Sequence, residues 1–121
     1  MIAEDGGAGL YDAEATDRML RGVENVLRSL DVLPGGARNM PPPRRFAKFA
    51  WVRTRAPGFF RHAVKVGDEL AAGQSLGTLV DFFGRTIEDV TAPEMGQVLF
   101  MVVSPAITKQ GLICGIGIEA A

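Results

Sequence analysis

Val64-Lys65-Val66-Gly67-Asp68-Glu69-Leu70-Ala71-Ala72-Gly73-Gln74-Ser75-Leu76-Gly77 is the stretch on which the fold of this chain turns. Gly67-Asp68 and Gly73-Gln74 punctuate it as turns, and short apolar pieces lie between and after them. The stretch has a second copy. Val66, Leu70, Leu76 and Leu79 map at a constant offset onto Val103, Ile107, Ile113 and Ile116. Gly67-Asp68 becomes Ser104-Pro105, and Gly73 falls one place short of Gly111. Upstream, Ala56-Pro57-Gly58-Phe59 is echoed by Ala92-Pro93-Glu94-Met95-Gly96-Gln97-Val98. Two copies of a strand-turn-strand-turn unit predict two interlocked half-sheets related by a pseudo-twofold axis.

The surrounding sequence keeps the same rhythm. Strands are expected over Phe46 to Thr54, Gly58 to Val66, Ser75 to Val80, Glu88 to Thr91, Gln97 to Val103 and Leu112 to Ile118, with Gly, Pro and Asp between them. Residues 46–121 therefore read as a β domain of sandwich or barrel type.

Before Phe46 the period changes. Met19, Leu20, Val23, Val26, Leu27 and Leu30 recur every three or four residues, which predicts an amphipathic helix from Asp12 to Leu33. Asp12 is its expected N-cap, Glu14 faces the positive end of the dipole, and Pro34-Gly35-Gly36 is the expected stop. Residues 34–45, with Pro41-Pro42-Pro43 and then Arg44-Arg45, read as a solvated linker. The fold class is mainly β with one α-helix in front.

Composition narrows the function. The chain has 121 residues, 47% of them hydrophobic, and a formal net charge of −1. One domain with an appendage fits that length. The charge balance gives no field for nucleic acid, and no apolar run approaches the roughly 20 residues that span a bilayer. A lone cysteine, Cys114, and a start without a basic and apolar leader point to a cytoplasmic location. There is one histidine, His62. A catalytic zinc needs about three protein ligands, so this chain alone is expected to hold no metal. His62 is expected to be packed or half-exposed in a strand, and Cys114 to be a small buried residue. Phe82-Phe83, between the two copies, suits either core lining or a contact for a partner.

The Val64–Gly77 stretch, with Val90-Thr91-Ala92-Pro93 and Gly96-Gln97-Val98, resembles the biotinyl/lipoyl carrier domains. The resemblance implies a barrel-sandwich hybrid. Those carriers present a lysine on the hairpin between the halves. Here the hairpin reads Asp81-Phe82-Phe83-Gly84-Arg85-Thr86-Ile87-Glu88-Asp89, and the three lysines, Lys48, Lys65 and Lys109, lie elsewhere. No prosthetic group is expected.

A wider likeness follows the whole chain. Glu4-x-Gly6-Gly7 comes first, and then Arg21-Gly22-Val23-Glu24-Asn25-Val26-Leu27 on the helix. A proline-bearing linker and the β module complete the order, which resembles the C-terminal part of the succinylglutamate desuccinylase/aspartoacylase family. These are zinc-dependent deacylases related to the zinc carboxypeptidases. The resemblance implies that residues 1–33 are the C-terminal edge of a catalytic α/β domain, residues 34–45 a linker and residues 46–121 an accessory domain. It makes Glu4 the general base, taking a proton from zinc-bound water and handing it to the leaving amine. It puts the zinc ligands and substrate arginines upstream of this chain. The implied activity is hydrolysis of N-acyl amino acids by the full-length protein, with the isolated chain inactive. The implied partner is the parent's catalytic domain; in the isolated chain the apolar stripe of the helix is expected to dock on further copies of the chain, and the composition leaves no nucleic acid and no membrane as partners. The other open reading is a stand-alone barrel-sandwich module for protein–protein contact, not a lipoyl or biotin carrier.

Overall fold

The computed structural model describes residues 3–4, 6–7 and 9–119. The chain divides into two compact units, Met1–Pro43 and Arg44–Ala121.

The first unit is built on helix α1, Ala13–Ser29. Asp12 caps it as the sequence predicts, accepting a hydrogen bond from the Ala15 N–H at 3.0 Å. The end differs from the expected stop at Pro34-Gly35-Gly36. Asp31 adopts a left-handed φ of 57°. Its N–H donates to the Arg28 carbonyl and the Val32 N–H to the Leu27 carbonyl, at 3.1 and 2.9 Å. This is a Schellman closure with aspartate where glycine is usual, and it ends the helix before the Pro-Gly signal is reached. Part of the stretch read as a free linker is tied back. Asn25 receives the Arg38 N–H at 2.5 Å and donates its amide to the Arg38 carbonyl at 3.2 Å.

The second unit holds eight strands: β1 (Lys48–Arg53), β2 (Gly58–His62), β3 (Glu69–Leu70), β4 (Ser75–Val80), β5 (Thr86–Thr91), β6 (Gly96–Met101), β7 (Ala106–Ile107) and β8 (Leu112–Ile118). They form two open antiparallel sheets, ordered β1-β8-β6-β3 and β5-β4-β2-β7. Exchanging β1 with β5, β2 with β6, β3 with β7 and β4 with β8 turns one order into the other. Each sheet thus takes two strands from each half of the repeat, which is the interlocking predicted from the offset.

The repeated apolar positions are core in three pairs of four. Leu70 and Ile107, Leu76 and Ile113, Leu79 and Ile116 are all buried. Val66 and Val103 are exposed, because both strands end before them, at His62 and Met101. After His62 the chain turns, and Asp68 accepts the Lys65 N–H at 3.0 Å. The repeat also fixes two glycines. A Cβ on Gly58 would lie 2.6 Å from the Val80 carbonyl oxygen, and one on Gly96 would lie 2.4 Å from that of Gly117. The two halves have solved one close approach in the same way.

Candidate functional site

Glu4 precedes α1 in the first unit and is exposed. It lines an open groove of about 560 Å³ whose other walls include Ala3, Gly6, Ala15, Met19, Val23 and Val26. The groove is apolar apart from Glu4 and Arg18. Asp5, within the same Glu4–Gly7 segment, lies outside the described residues. Of the predicted stripe, Leu20, Val23, Val26 and Leu30 remain between 42% and 65% exposed.

His62 ends β2 in the β5-β4-β2-β7 sheet and is exposed, with its ring edge-on to Phe60 at 4.9 Å. Cys114 sits on β8 in the other sheet and has no exposed surface. Burial pushes its thiol up from the ordinary value 9.0 to about 11, because a thiolate there would be desolvated. A zinc site needs deprotonated donors converging on one point. His62 and Cys114 belong to different sheets, the thiol is held protonated, and Glu4 belongs to the other unit. Among the described residues no three His, Cys, Asp or Glu side chains gather as a metal-holding group. The donors among the described residues do not fit a zinc ion.

Phe82 and Phe83 are not core lining. They stand at the β4–β5 tip, 88% and 83% exposed. The tip itself is well fixed. One carboxylate oxygen of Asp81 accepts the Phe83 and Arg85 N–H groups at 2.8 and 2.9 Å, and Gly84 closes the turn at a φ of 80°. Phe82 meets Phe59 edge-on at 5.1 Å, and the Arg85 guanidinium lies over Phe83 at 5.5 Å.

Sequence reading missed Arg44, which it placed in a solvated linker. Arg44 belongs to the β unit and pairs with both Glu69 and Glu119, Glu119 at 2.8 Å. With Glu94, Met95 and Gly96 these residues line a second cleft of about 380 Å³. Its pairing acids lie far from Arg44 along the chain, so no local signal marks it.

No family model matches the chain, and no curated protein matches it. Solved structures do. A succinylglutamate desuccinylase/aspartoacylase from Rhodobacter sphaeroides superposes with a TM-score of 0.79 at 22% identity, over 97% of this chain and 39% of that one. The ectoine utilization protein EutE (DoeB) from Ruegeria pomeroyi, in its apo form, gives 0.79 at 21% identity, over 96% and 38%. An aspartoacylase family protein from Mesorhizobium loti gives 0.64 at 20% identity, over 84% and 38%. At such identities the likeness establishes the fold. The chain spans about two-fifths of the length of these structures. Among its described residues no helix is long and apolar enough to cross a membrane.

Proposed function

We propose that this chain is the C-terminal segment of a zinc-dependent deacylase of the succinylglutamate desuccinylase/aspartoacylase type, acting on N-acyl amino acids. The observation that carries this reading is the span of the structural likeness. It runs through the helical unit as well as the β unit, over nearly all of this chain, in structures more than twice as long. In this reading residues 1–33 complete a catalytic α/β domain. The β unit is a barrel-sandwich hybrid that packs on that domain, and the protein is cytoplasmic. Zinc is held by residues outside this chain. Glu4 takes the proton from the attacking water and passes it to the amine that leaves. Its exposure on an open groove suits a group that another domain must cover.

The test is the coding frame upstream of Met1, followed by Glu4→Gln in the longer enzyme. An in-frame H-x-x-E segment with a later histidine is expected. The substitution should lower turnover by roughly 10²–10⁴-fold with zinc content unchanged. Full activity of the Glu4→Gln enzyme would remove Glu4 from the chemistry, and a frame without zinc ligands would remove the deacylase reading.

A second reading is favoured by the exposed, hydrogen-bonded Phe82-Phe83 tip: a barrel-sandwich module that works by protein contact. It predicts that Phe82→Ser/Phe83→Ser abolishes an interaction and leaves the β unit folded.

A further inference from the structure

The formal net charge of −1 conceals a polarised β unit. Register fixes which residues share an end. Arg53 pairs with Leu112, Gly58 with Ile107, Phe59 with Val80, and Val80 with Thr86. β1, β4 and β7 therefore end where β2, β5 and β8 begin, and the Phe82-Phe83 turn stands at that end. The Arg55 N–H donates to the Glu88 carboxylate at 2.9 Å, which ties the two sheets together there. Arg53, Arg55, Arg85 and Lys109 are exposed around the tip. Arg61 lies further along β2, but its guanidinium reaches back: a Cβ on Gly84 would stand 3.6 Å from its Nη2. Among the described residues only Arg55 of this group has a carboxylate at ion-pair distance, Glu88 at 3.8 Å. Arg53 donates to the neutral Gln110 carbonyl at 3.0 Å and keeps its charge. The acids nearby are Asp81, Glu88 and Asp89. Asp81 and Glu88 are turned to backbone N–H groups, and Asp89 stands further along β5, opposite Thr78. At the other end, where β8 stops and β1 starts, Glu69, Glu94 and Glu119 gather instead.

We infer that the Phe82-Phe83 end of the β unit docks on an anionic lipid bilayer. Two phenyl rings, 88% and 83% exposed on a protruding turn, enter the boundary between headgroups and acyl chains. The cations around them meet the lipid phosphates and carboxylates, with the arginine stems lying along the apolar boundary. A protein partner would need a pocket shaped for both rings. A bilayer needs none, because its chains close round what enters. The expectation of no membrane partner rested on net charge and on the lack of a spanning run, and neither weighs a surface whose cations gather at one end. The inference stands apart from both readings of the function: it needs no upstream domain, and it takes lipid rather than protein as the surface the tip meets.

The test is cosedimentation of the 121-residue chain with phosphatidylcholine vesicles containing about 30% phosphatidylserine. The chain is expected to pellet with these vesicles, to be released by high salt, and to ignore vesicles of phosphatidylcholine alone. Phe82→Ser/Phe83→Ser and Arg61→Glu/Arg85→Glu should each weaken binding at least about tenfold. Arg45→Glu/Lys65→Glu makes the same change in net charge away from the tip, and should bind as the wild type does. All these side chains are exposed, so the far-UV circular dichroism of each variant should match the wild type. In Trp51→Phe/Phe82→Trp, tryptophan emission should shift to the blue on vesicles and be quenched by lipids brominated on the acyl chain. A chain that ignores the anionic vesicles would overturn the inference, and so would unquenched emission. Tip variants that lose no more than Arg45→Glu/Lys65→Glu would do the same. Binding that survives Phe82→Ser/Phe83→Ser would reduce the contact to adsorption by charge and overturn it too. Capture by a single-stranded oligonucleotide or an acidic protein, with vesicles left unbound, would assign the cations to another partner.

Discussion

Gly77 on β4 lies so close to Arg61 on β2 that a Cβ there would stand 2.1 Å from the Arg61 carbonyl oxygen. It would also meet the Phe60 ring at 2.8 Å, and the backbone carries a φ of 145°. Both terms act against any side chain. Gly77→Ala is therefore expected to destabilise the β unit by roughly 3 kcal/mol or more, and to unfold it if its margin is ordinary. Gly67, with φ 93° and nothing within 4 Å of its missing Cβ, is the control. Gly67→Ala meets backbone strain alone and should cost about 1 kcal/mol. Paired urea titrations of the two variants measure the difference.

Asp31 at the end of α1 invites the opposite change. It sits in a conformation that glycine takes without steric strain. Asp31→Gly should stabilise the helix by about 0.5–1 kcal/mol while keeping both closing hydrogen bonds. Slower amide exchange across the last turn of α1 is the expected readout.

Cys114 makes the β unit sensitive to alkali. Folded, the thiol keeps its proton to about pH 11, whereas its ordinary value is 9.0. Between these values the unfolded chain has lost a proton that the folded chain holds. Unfolding free energy therefore falls with rising pH, by about 1.4 kcal/mol per pH unit from this group. Thermal melts from pH 8 to pH 11 should show that slope, and Cys114→Ala should flatten it while lowering stability throughout by leaving a small void. Alkylation of the native thiol should be slow at pH 9 and fast once urea is added.

Asp81 holds the hairpin tip by accepting two backbone N–H groups with one oxygen. Asp81→Ala removes the acceptor shared by both N–H groups and should cost about 1–2 kcal/mol. The loss should be concentrated at the tip, and exchange of the Phe83 and Arg85 amides reports it directly.

The sequence-to-structure agreement follows the physics of each signal. β4 and β8 have the bounds read from their apolar pattern, and Asp12 caps α1 because capping is a local event. β3 and β7 were not legible. Glu69-Leu70 and Ala106-Ile107 are two residues long and exist as strands only because β6 and β2 lie beside them. The helix ends ahead of Pro34-Gly35-Gly36 because an aspartate, Asp31, takes the left-handed position that glycine usually fills. Glu4 stands out only through the family resemblance of Glu4-x-Gly6-Gly7, which says nothing of the apolar groove that it lines. The hydrogen bonds that shape the Phe82-Phe83 tip are hidden in the sequence, since they join an Asp81 side chain to backbone amides.

Because β1 pairs with β8 alone in its sheet, the first strand of the β unit waits for the last one. Neither sheet can be completed from one half of the repeat, so a chain arrested after β4 has no stable product to fall into. Until Ile118 emerges, β1 carries Phe49 and Trp51 on an unpaired edge, open to any neighbouring strand. Synthesis of this unit is thus a period of exposure followed by a late, concerted closure, and slow translation of its second half prolongs the hazard.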